Sequence, residues 1–167
     1  MAKAEVISHP IAAVYDDKSR ILILGSFPSV KSREIGFYYG HPQNRFWPLL
    51  AKIFSEELPL TVEERHAFLL RNRVAVWDVI ASCHIEGSAD SSITDVVPNQ
   101  LRPILEQAQI KHIYVNGETA ARLFQKYQEK DLGRKAIRLP STSSANARWS
   151  FDQLFEAWKQ IREQDSD

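Results

Sequence analysis

The stretch GSFPSVKSREIGFYYGHPQNRFW, residues 25–47, decides how the rest of the chain is interpreted. It follows the run ILIL at residues 21–24, which is continuously apolar and therefore predicts a strand buried on both faces. The stretch itself has almost no hydrophobic periodicity, and an irregular segment of that length inside a domain is usually functional. Its many aromatic residues argue against disorder. We interpret the stretch as the floor and wall of a substrate pocket.

The composition limits the possible classes of protein. With 167 residues, we expect one domain over 1–167, frayed at residues 1–8 and 163–167. The 21 basic and 21 acidic side chains give no overall attraction to nucleic acid or membrane. Lys31, Arg33 and Arg45 could still form a local basic patch. Cys83 is the single cysteine, which fits a reducing cytoplasm, and we see neither a signal peptide nor a membrane span.

Strand and helix signals alternate along the chain, which predicts a parallel sheet covered on both faces. Thr61 and Glu64 have the spacing of a capping box at the start of one helix. The predicted strands are residues 21–24, 74–80, 111–116 and 135–139, with a weak signal at 11–15. The predicted helices are residues 46–54, 61–72, 101–108 and 119–128, and a closing helix from residue 151. Polar loops at residues 26–44, 82–95 and 140–148 follow strands, so they should converge at one edge of the sheet.

Two motifs then carry a family resemblance. Gly25-Ser26-Phe27-Pro28 follows the buried strand, and Pro42-Gln43-Asn44-Arg45-Phe46-Trp47 follows the aromatic segment. Together they resemble the uracil-DNA glycosylase superfamily and are similar to its mismatch-specific uracil-DNA glycosylases. The late loop, residues 139–144 (LPSTSS), resembles the second motif of that superfamily, which packs against DNA beside a flipped base. The resemblance implies a three-layer α/β/α sandwich with a short central parallel four-stranded sheet.

Two positions depart from the usual pattern of this superfamily. Phe27 stands where an Asp or Asn commonly positions the attacking water, and Leu139 stands where the strongest uracil enzymes have His. These departures resemble the hypoxanthine-DNA (deoxyinosine) glycosylase branch. In that branch the polar catalytic residue is an Asn further along the loop, and Asn44 matches it. Asn44 could also be the N-cap of the following helix, which does not exclude catalysis.

The resemblance and the chemistry of the side chains together suggest a base-binding set. Phe37 is the first choice for a platform that stacks on an extruded base, and Tyr38 is the second, although Phe37, Tyr38 and Tyr39 could simply be core aromatics. Asp78 could accept a hydrogen bond from N1–H of hypoxanthine, or it could cap a loop. Backbone N–H groups of Ser26 and Phe27 would bind the O6 carbonyl. The predicted substrate-binding residues are Gly25, Ser26, Phe27, Pro28, Phe37, Tyr38 and Asp78.

The late loop has the chemistry of phosphate contacts, although an ordinary Ser-rich turn would look similar. Because its residues are small, insertion into the vacated base position is either weak or performed by Arg148. The predicted DNA-binding residues are Ser141, Thr142, Ser143, Ser144, Asn146 and Arg148. His41, His84 and His112 form no metal set with the lone cysteine, and we expect no metal and no cofactor.

Three functions remain open from the sequence. The first is a monofunctional glycosylase of base excision repair that removes a deaminated base, preferably hypoxanthine, from DNA. The second is a uracil or mismatch-specific uracil glycosylase, and the third is a non-catalytic DNA- or nucleotide-binding module. For the first, we expect a monomer in the cytoplasm whose abasic product passes to an abasic-site endonuclease.

Overall fold

A four-stranded parallel sheet lies at the centre of the protein. The structure, a computed structural model, describes the backbone of residues 5–165 and the side chains of residues 6–162. The strands are β1 (Glu5–Ser8), β2 (Ile21–Gly25), β3 (Val74–Asp78), β4 (Ile80–Ile85), β5 (Thr94–Pro98), β6 (His112–Asn116) and β7 (Ala136–Leu139). The helices are α1 (Val30–Ile35), α2 (Phe46–Ile53), α3 (Val62–Arg71), α4 (Arg102–Gln107), α5 (Glu118–Tyr127), α6 (Glu129–Leu132), α7 (Phe151–Trp158) and α8 (Gln160–Asp165), with a 3₁₀ turn at Asp90–Ser92.

The central sheet has the strand order β3-β2-β6-β7, and all of its neighbouring strands are parallel. Residues 21–24 of β2 are completely buried. Ile21 and Ile23 point into a core that α2, α3 and α7 complete, whereas Leu22 and Leu24 point into a second core that α4 and α5 complete. The sheet is therefore the middle layer of three, and the predicted α/β/α architecture is confirmed.

The helices predicted from the sequence are present in the structure. The Thr61 hydroxyl accepts a hydrogen bond from the Glu64 backbone N–H at 3.0 Å, as the predicted cap of α3 requires. The Glu64 carboxylate accepts from the Leu60 N–H at 2.9 Å, one residue before the cap. Pro48 lies in the first turn of α2, where its missing N–H costs the helix no hydrogen bond.

The second sheet was not predicted. β1, β4 and β5 form an antiparallel sheet in that order, so the prediction of a polar loop over residues 82–95 is wrong for both of its ends. The predicted strand over residues 74–80 is broken at Val79, where the chain leaves the first sheet for the second. Residues 11–15 form no strand, and only Val14 makes an isolated bridge, to Val76. Pairing with a distant partner, rather than a local pattern, creates β1 and β4.

The ends and the long loop also differ from expectation. Residues 5–8 were expected to fray, yet they form β1, and α8 extends to Asp165. The rest of that prediction, for residues 1–4 and 166–167, lies outside the described residues, and a single domain stays a prediction. The stretch 25–47 is not irregular throughout, because α1 begins after the Ser29 cap and ends at Gly36, whose φ is 80°. In the described part of the chain, no helix has the length and apolar character needed to cross a membrane.

Candidate active site

The loops at the carboxyl ends of the parallel strands enclose a cavity of about 490 Å³. Such volumes are typical of small-molecule sites. Its lining comes from residues 25–29 and 32, residues 38, 39, 41 and 44, Asp78, Ile85, residues 88–90, Asn116 and residues 141–145. The predicted convergence of the three polar segments is therefore confirmed, because all three contribute to this one lining.

Most of the predicted site residues reach the cavity, and three do not. The predicted residues in the lining are Gly25, Ser26, Phe27, Pro28, Tyr38, Asn44, Asp78, Ser141, Thr142, Ser143 and Ser144. Phe37, Asn146 and Arg148 are not part of it. Arg148 is exposed on the surface of the late loop, where contact with DNA backbone is sterically open.

Asn44 lies one residue before the N-cap of α2, which is Arg45, and it lines the cavity. Its side-chain oxygen accepts a hydrogen bond from the Phe46 backbone N–H at 2.9 Å, which also identifies that atom as the oxygen. The amide nitrogen and the second lone pair of the oxygen remain for a molecule in the cavity. The interpretation of Asn44 as the N-cap is wrong, because Arg45 occupies that position, but the hydrogen bond from the Phe46 N–H still fixes the orientation of the amide.

The aromatic segment is divided between core and cavity. Phe37 is only 5% exposed and stacks on Trp47 inside the core, so its position does not favour a stacking platform for a base. Tyr38 is 2% exposed, and its hydroxyl donates to the backbone oxygens of Ile11 and Ala12. Tyr38 therefore contributes part of the wall while its hydroxyl is already used.

Tyr39 is the aromatic residue with an unused polar group at the cavity. Its ring stacks on Phe46 with centroids 3.9 Å apart, and its backbone has a φ of 53°, which is uncommon outside glycine. Its hydroxyl is buried and makes no hydrogen bond within the usual distance and angle limits, although the Asn116 side chain is close enough to lower its pKa slightly. Burial, and next the charge of Asp78, raise the pKa of Tyr39, so the phenol stays a neutral donor. A strained, buried donor at a cavity wall is suited to meet a ligand.

Asp78 lies at the end of β3 on the floor of the cavity, and it is 3% exposed. One carboxylate oxygen, Oδ2, is 2.7 Å from His9 Nε2. The other, Oδ1, lies beside Gly25, where a Cβ atom would come within 2.5 Å of it. Gly25 is therefore required for its size, because any side chain there would displace the carboxylate. The Asn99 amide donates to the backbone oxygen of Asp78 at 2.9 Å and holds the strand end in place.

The first motif offers backbone donors next to this carboxylate. Among the hydrogen bonds of residues 5–165, none uses the backbone N–H of Ser26 or Phe27. The Phe27 ring is held by the Arg33 guanidinium, 5.6 Å from its centroid, and by the edge of the His9 ring. The Ser26 hydroxyl is 3.4 Å from Asp90, whose pKa is raised mainly by desolvation. Phe27 itself is an apolar part of the lining and cannot hold a water.

The late loop is held together by side chains that had been assigned to DNA. Thr142 is completely buried, where its N–H and hydroxyl pair with the two ends of the Asn116 amide at 3.1 and 3.0 Å. The Asn146 amide donates to the Ser141 backbone oxygen at 3.0 Å. These contacts leave little capacity for phosphate, so Thr142 and Asn146 support the loop. Ser144 is exposed and has no such engagement among the described residues.

Arg45 has a structural role that was not predicted from the sequence. It was a candidate for a basic surface patch, but its guanidinium donates to backbone oxygens of Ser143, Asn146 and Trp149. Its own N–H donates to the Thr142 oxygen at 3.0 Å. Arg45 therefore fastens the late loop to the start of α2, directly beside Asn44.

Sequence reasoning also missed His9, Tyr39 and Asn116 as parts of the site. Nothing in the sequence around His9 indicates a role, because its partner is 69 residues away. Asn116 ends β6, and a polar residue at the carboxyl end of a predicted parallel strand was a signal available from the sequence. Among the described side chains, no three His, Cys, Asp or Glu residues are placed to hold a metal ion.

Comparison with known proteins identifies the family of this chain. The family model of the uracil DNA glycosylase superfamily matches residues 12–162. A hypoxanthine DNA glycosylase of Methanosarcina acetivorans is 34% identical over 160 residues, covering 93% of this chain and 98% of that protein. A hypoxanthine DNA glycosylase of Methanosarcina barkeri is 35% identical over 139 residues, covering 81% and 85%.

A solved structure gives the same result for the fold. The solution NMR structure of a candidate uracil DNA glycosylase from Methanosarcina acetivorans superposes with a TM-score of 0.82 at 32% identity, covering 98% of this chain and 100% of that chain. The match extends over both sheets and the loops between them. The resemblance noted in the sequence motifs is confirmed, and the chain belongs to the uracil DNA glycosylase superfamily.

Proposed function

We propose that this protein is a monofunctional DNA glycosylase that removes hypoxanthine from deoxyinosine in DNA and leaves an abasic site. The observation that carries the proposal is the placement of Asn44 and Asp78 in one cavity, with apolar and aromatic walls between them. Two relatives of similar length are hypoxanthine DNA glycosylases. The function rests on the site first and on these relatives second, because a shared fold alone does not define a reaction.

The base is bound after it is extruded from the duplex, since a stacked base is out of reach of any side chain. In the cavity, Asp78 accepts the hydrogen bond of N1–H, and the free N–H groups of Ser26 and Phe27 donate to O6. Adenine has no hydrogen on N1 and presents an amino group in place of O6, so it leaves these groups unpaired. Tyr39, rather than Phe37, supplies the aromatic wall beside the base and a further donor.

The reaction breaks the bond between N9 and C1′, and the bonding electron pair leaves with the base. The oxygen of a water molecule bonds to C1′ as a hydroxyl, and the proton that the water loses balances the charge of the released hypoxanthine. Its transition state resembles an oxocarbenium ion, so orientation and electrostatics can contribute much of the barrier lowering. We assign Asn44 to hold the water, through its amide nitrogen and the second lone pair of its oxygen. No lysine is among the described residues that line the cavity, which supports hydrolysis without a lyase step.

DNA is held at the mouth of the cavity by the late loop. Ser141, Ser143 and Ser144 border the cavity and have hydroxyl groups suited to phosphate oxygens. Arg148 is the exposed cation of this loop and the candidate for the vacated base position. We propose a monomer that acts in the cytoplasm, where the buried thiol of Cys83 stays reduced, and an abasic-site endonuclease that takes the product.

The test uses oligonucleotides with a single deoxyinosine, deoxyuridine or mismatched thymine, followed by alkaline cleavage of abasic sites. We expect strand breaks mainly at inosine. Breaks only at uracil would instead support the uracil glycosylase alternative, and none at any base would support a non-catalytic module. Asp78→Asn should change the preference between bases, because the amide can donate where the carboxylate only accepts.

Asn44→Ala tests the catalytic assignment. We expect the single-turnover rate on inosine to fall by roughly tenfold to a thousandfold, the scale of losing one positioned group. Gln43→Ala is the matched control, because it removes an exposed amide from the adjacent position outside the cavity lining. Equal rates for the two variants would remove Asn44 from the mechanism.

A further inference from the structure

His9 forms a buried pair with Asp78, and the proposed mechanism gives His9 no role. His9 Nε2 and Asp78 Oδ2 are 2.7 Å apart, and the two side chains are 4% and 5% exposed. The residues are separated by 69 positions, and His9 follows β1, a strand that was not predicted to lie near the site. A buried polar contact between such distant segments requires the tertiary fold, so it is a specific feature of the site.

The direction of the hydrogen bond follows from the other ring nitrogen. The Ile11 backbone N–H donates to His9 Nδ1 at 3.2 Å, so Nδ1 is an acceptor and carries no hydrogen. In the neutral ring the hydrogen is therefore on Nε2, and it points at the Asp78 carboxylate. His9 is a donor whose tautomer is set by the backbone two residues away.

The surroundings fix both members of the pair. The His9 ring packs against the rings of Phe27, Tyr38 and Trp77, with centroids 5.8 to 6.2 Å apart. With Oδ2 bonded to His9, the other oxygen of Asp78 lies beside Gly25 in the cavity lining. Oδ2 is thus occupied by His9, and only Oδ1 remains available to a ligand.

We propose that His9 is a positioning residue that holds the Asp78 carboxylate in place. The carboxylate is then the acceptor for the ring N–H that deamination creates on a base. The proposal rests on the function given above and deepens it. Deamination converts a ring nitrogen acceptor into an N–H donor, in hypoxanthine from adenine and in uracil from cytosine. An ionised carboxylate can only accept hydrogen bonds. When the His9 donor holds it in place, it pairs with a base that has the new N–H and stays unpaired with a base that lacks it. The other titratable groups near Asp78 are Tyr38, Tyr39 and Asp90.

The first experiment compares His9→Leu with His9→Gln in single-turnover excision of inosine. The Gln side chain can place an N–H near the position of Nε2, whereas Leu fills the space without a donor. We expect His9→Leu to lose roughly tenfold to a hundredfold in rate, the scale of one hydrogen bond to a charged group, and His9→Gln to stay within about threefold of wild type. His66→Leu is the matched control, because His66 is exposed on α3 and outside the cavity lining.

A double-mutant comparison separates positioning from general stability. If His9 acts through Asp78, then His9→Leu should cost little more in an Asp78→Ala background than Asp78→Ala alone. Equal losses for His9→Leu in both backgrounds, or a loss for His9→Gln as large as that for His9→Leu, would overturn the proposal.

A measurement without substrate keeps this proposal separate from the proposed function. The ¹⁵N chemical shifts of the His9 ring in the wild-type protein should show hydrogen on Nε2 and a bare Nδ1. Hydrogen on Nδ1 would overturn the positioning role, whether or not the protein excises a base. Wild-type protein that excises nothing, yet shows the Nε2–H ring, would refute the proposed reaction and leave the buried pair established as a structural contact only.

Discussion

Replacing Arg45 by Ala should release the late loop while leaving the core folded. The guanidinium donates to the Ser143 oxygen at 2.8 Å, the Asn146 oxygen at 3.1 Å and the Trp149 oxygen, all of which are backbone groups of that loop. The backbone bond from residue 45 to the Thr142 oxygen is kept in the variant. The Arg45 Nε also donates to the Thr142 oxygen over a longer 3.4 Å. The three other side-chain bonds alone, at ~1 kcal/mol each for a charged donor at a partly exposed site, give about 3 kcal/mol of local stability.

That energy corresponds to an increase of roughly a hundredfold in the local opening equilibrium. Native-state hydrogen exchange measures it directly at the amides of Asn146 and Trp149, which donate within the loop at 3.0 and 3.3 Å. Arg138→Gln is the control, because Arg138 is 61% exposed and only forms a long surface ion pair. Exchange at these two amides that stays within threefold of wild type in Arg45→Ala would refute the role of Arg45 as the fastening of this loop.

Three further predictions concern the floor of the cavity and the surface. Gly25→Ala should lower the rate of inosine excision by roughly tenfold or more with little change in melting temperature. The Cβ atom of the new alanine would lie 2.5 Å from the Asp78 carboxylate and displace it. Unchanged single-turnover kinetics would contradict this displacement. Hydrogen bonding from Arg71 holds the pKa of Glu56 below its usual range, so the stabilisation is present at neutral pH and is lost as the pH falls through that lowered pKa. Denaturation of Glu56→Gln against wild type should show ~0.5–1 kcal/mol less stability at pH 7 and no difference in strong acid, and a pH-independent gap would argue against the pair. Thr61→Ala should cost about 1 kcal/mol in urea unfolding through loss of the α3 cap, and a cost near zero would indicate that water replaces it.

Most of the residues that line the cavity could be predicted from the sequence. Asn44 was chosen from its motif, and the structure brings it to the same cavity as Asp78. The Phe27 side chain lines that cavity but has no polar group, which agrees with assigning the catalytic role to Asn44 further along the loop.

The assignments that the geometry does not favour share one physical cause. Phe37 was chosen by matching the family motif, and the sequence cannot show that the turn at Tyr39, with its positive φ, directs the Tyr39 ring to the cavity. Thr142 and Arg45 have the chemistry of DNA contacts, but they use it within the protein. A polar side chain in a loop has the same sequence signature whether its partner is a phosphate or a backbone oxygen.

The sequence by itself determined the central sheet and its layers. Continuous apolar runs such as residues 21–24 can only be buried on both faces, and the amphipathic helices between them must cover those faces. The order of strand and helix along the chain then requires parallel strands, and it places the polar loops at one edge. These are local patterns with a single physical solution, which is why they could be predicted.

Only the tertiary structure decided the second sheet and the completed site. β1 pairs with β4, nearly eighty residues away, and neither segment has a sequence pattern that identifies its partner strand. That pairing carries the chain into His9, whose ring reaches Asp78 behind the cavity floor. Contacts between segments that are distant in sequence depend on how the whole chain packs, so the contact between His9 and Asp78 could not be predicted from either segment alone.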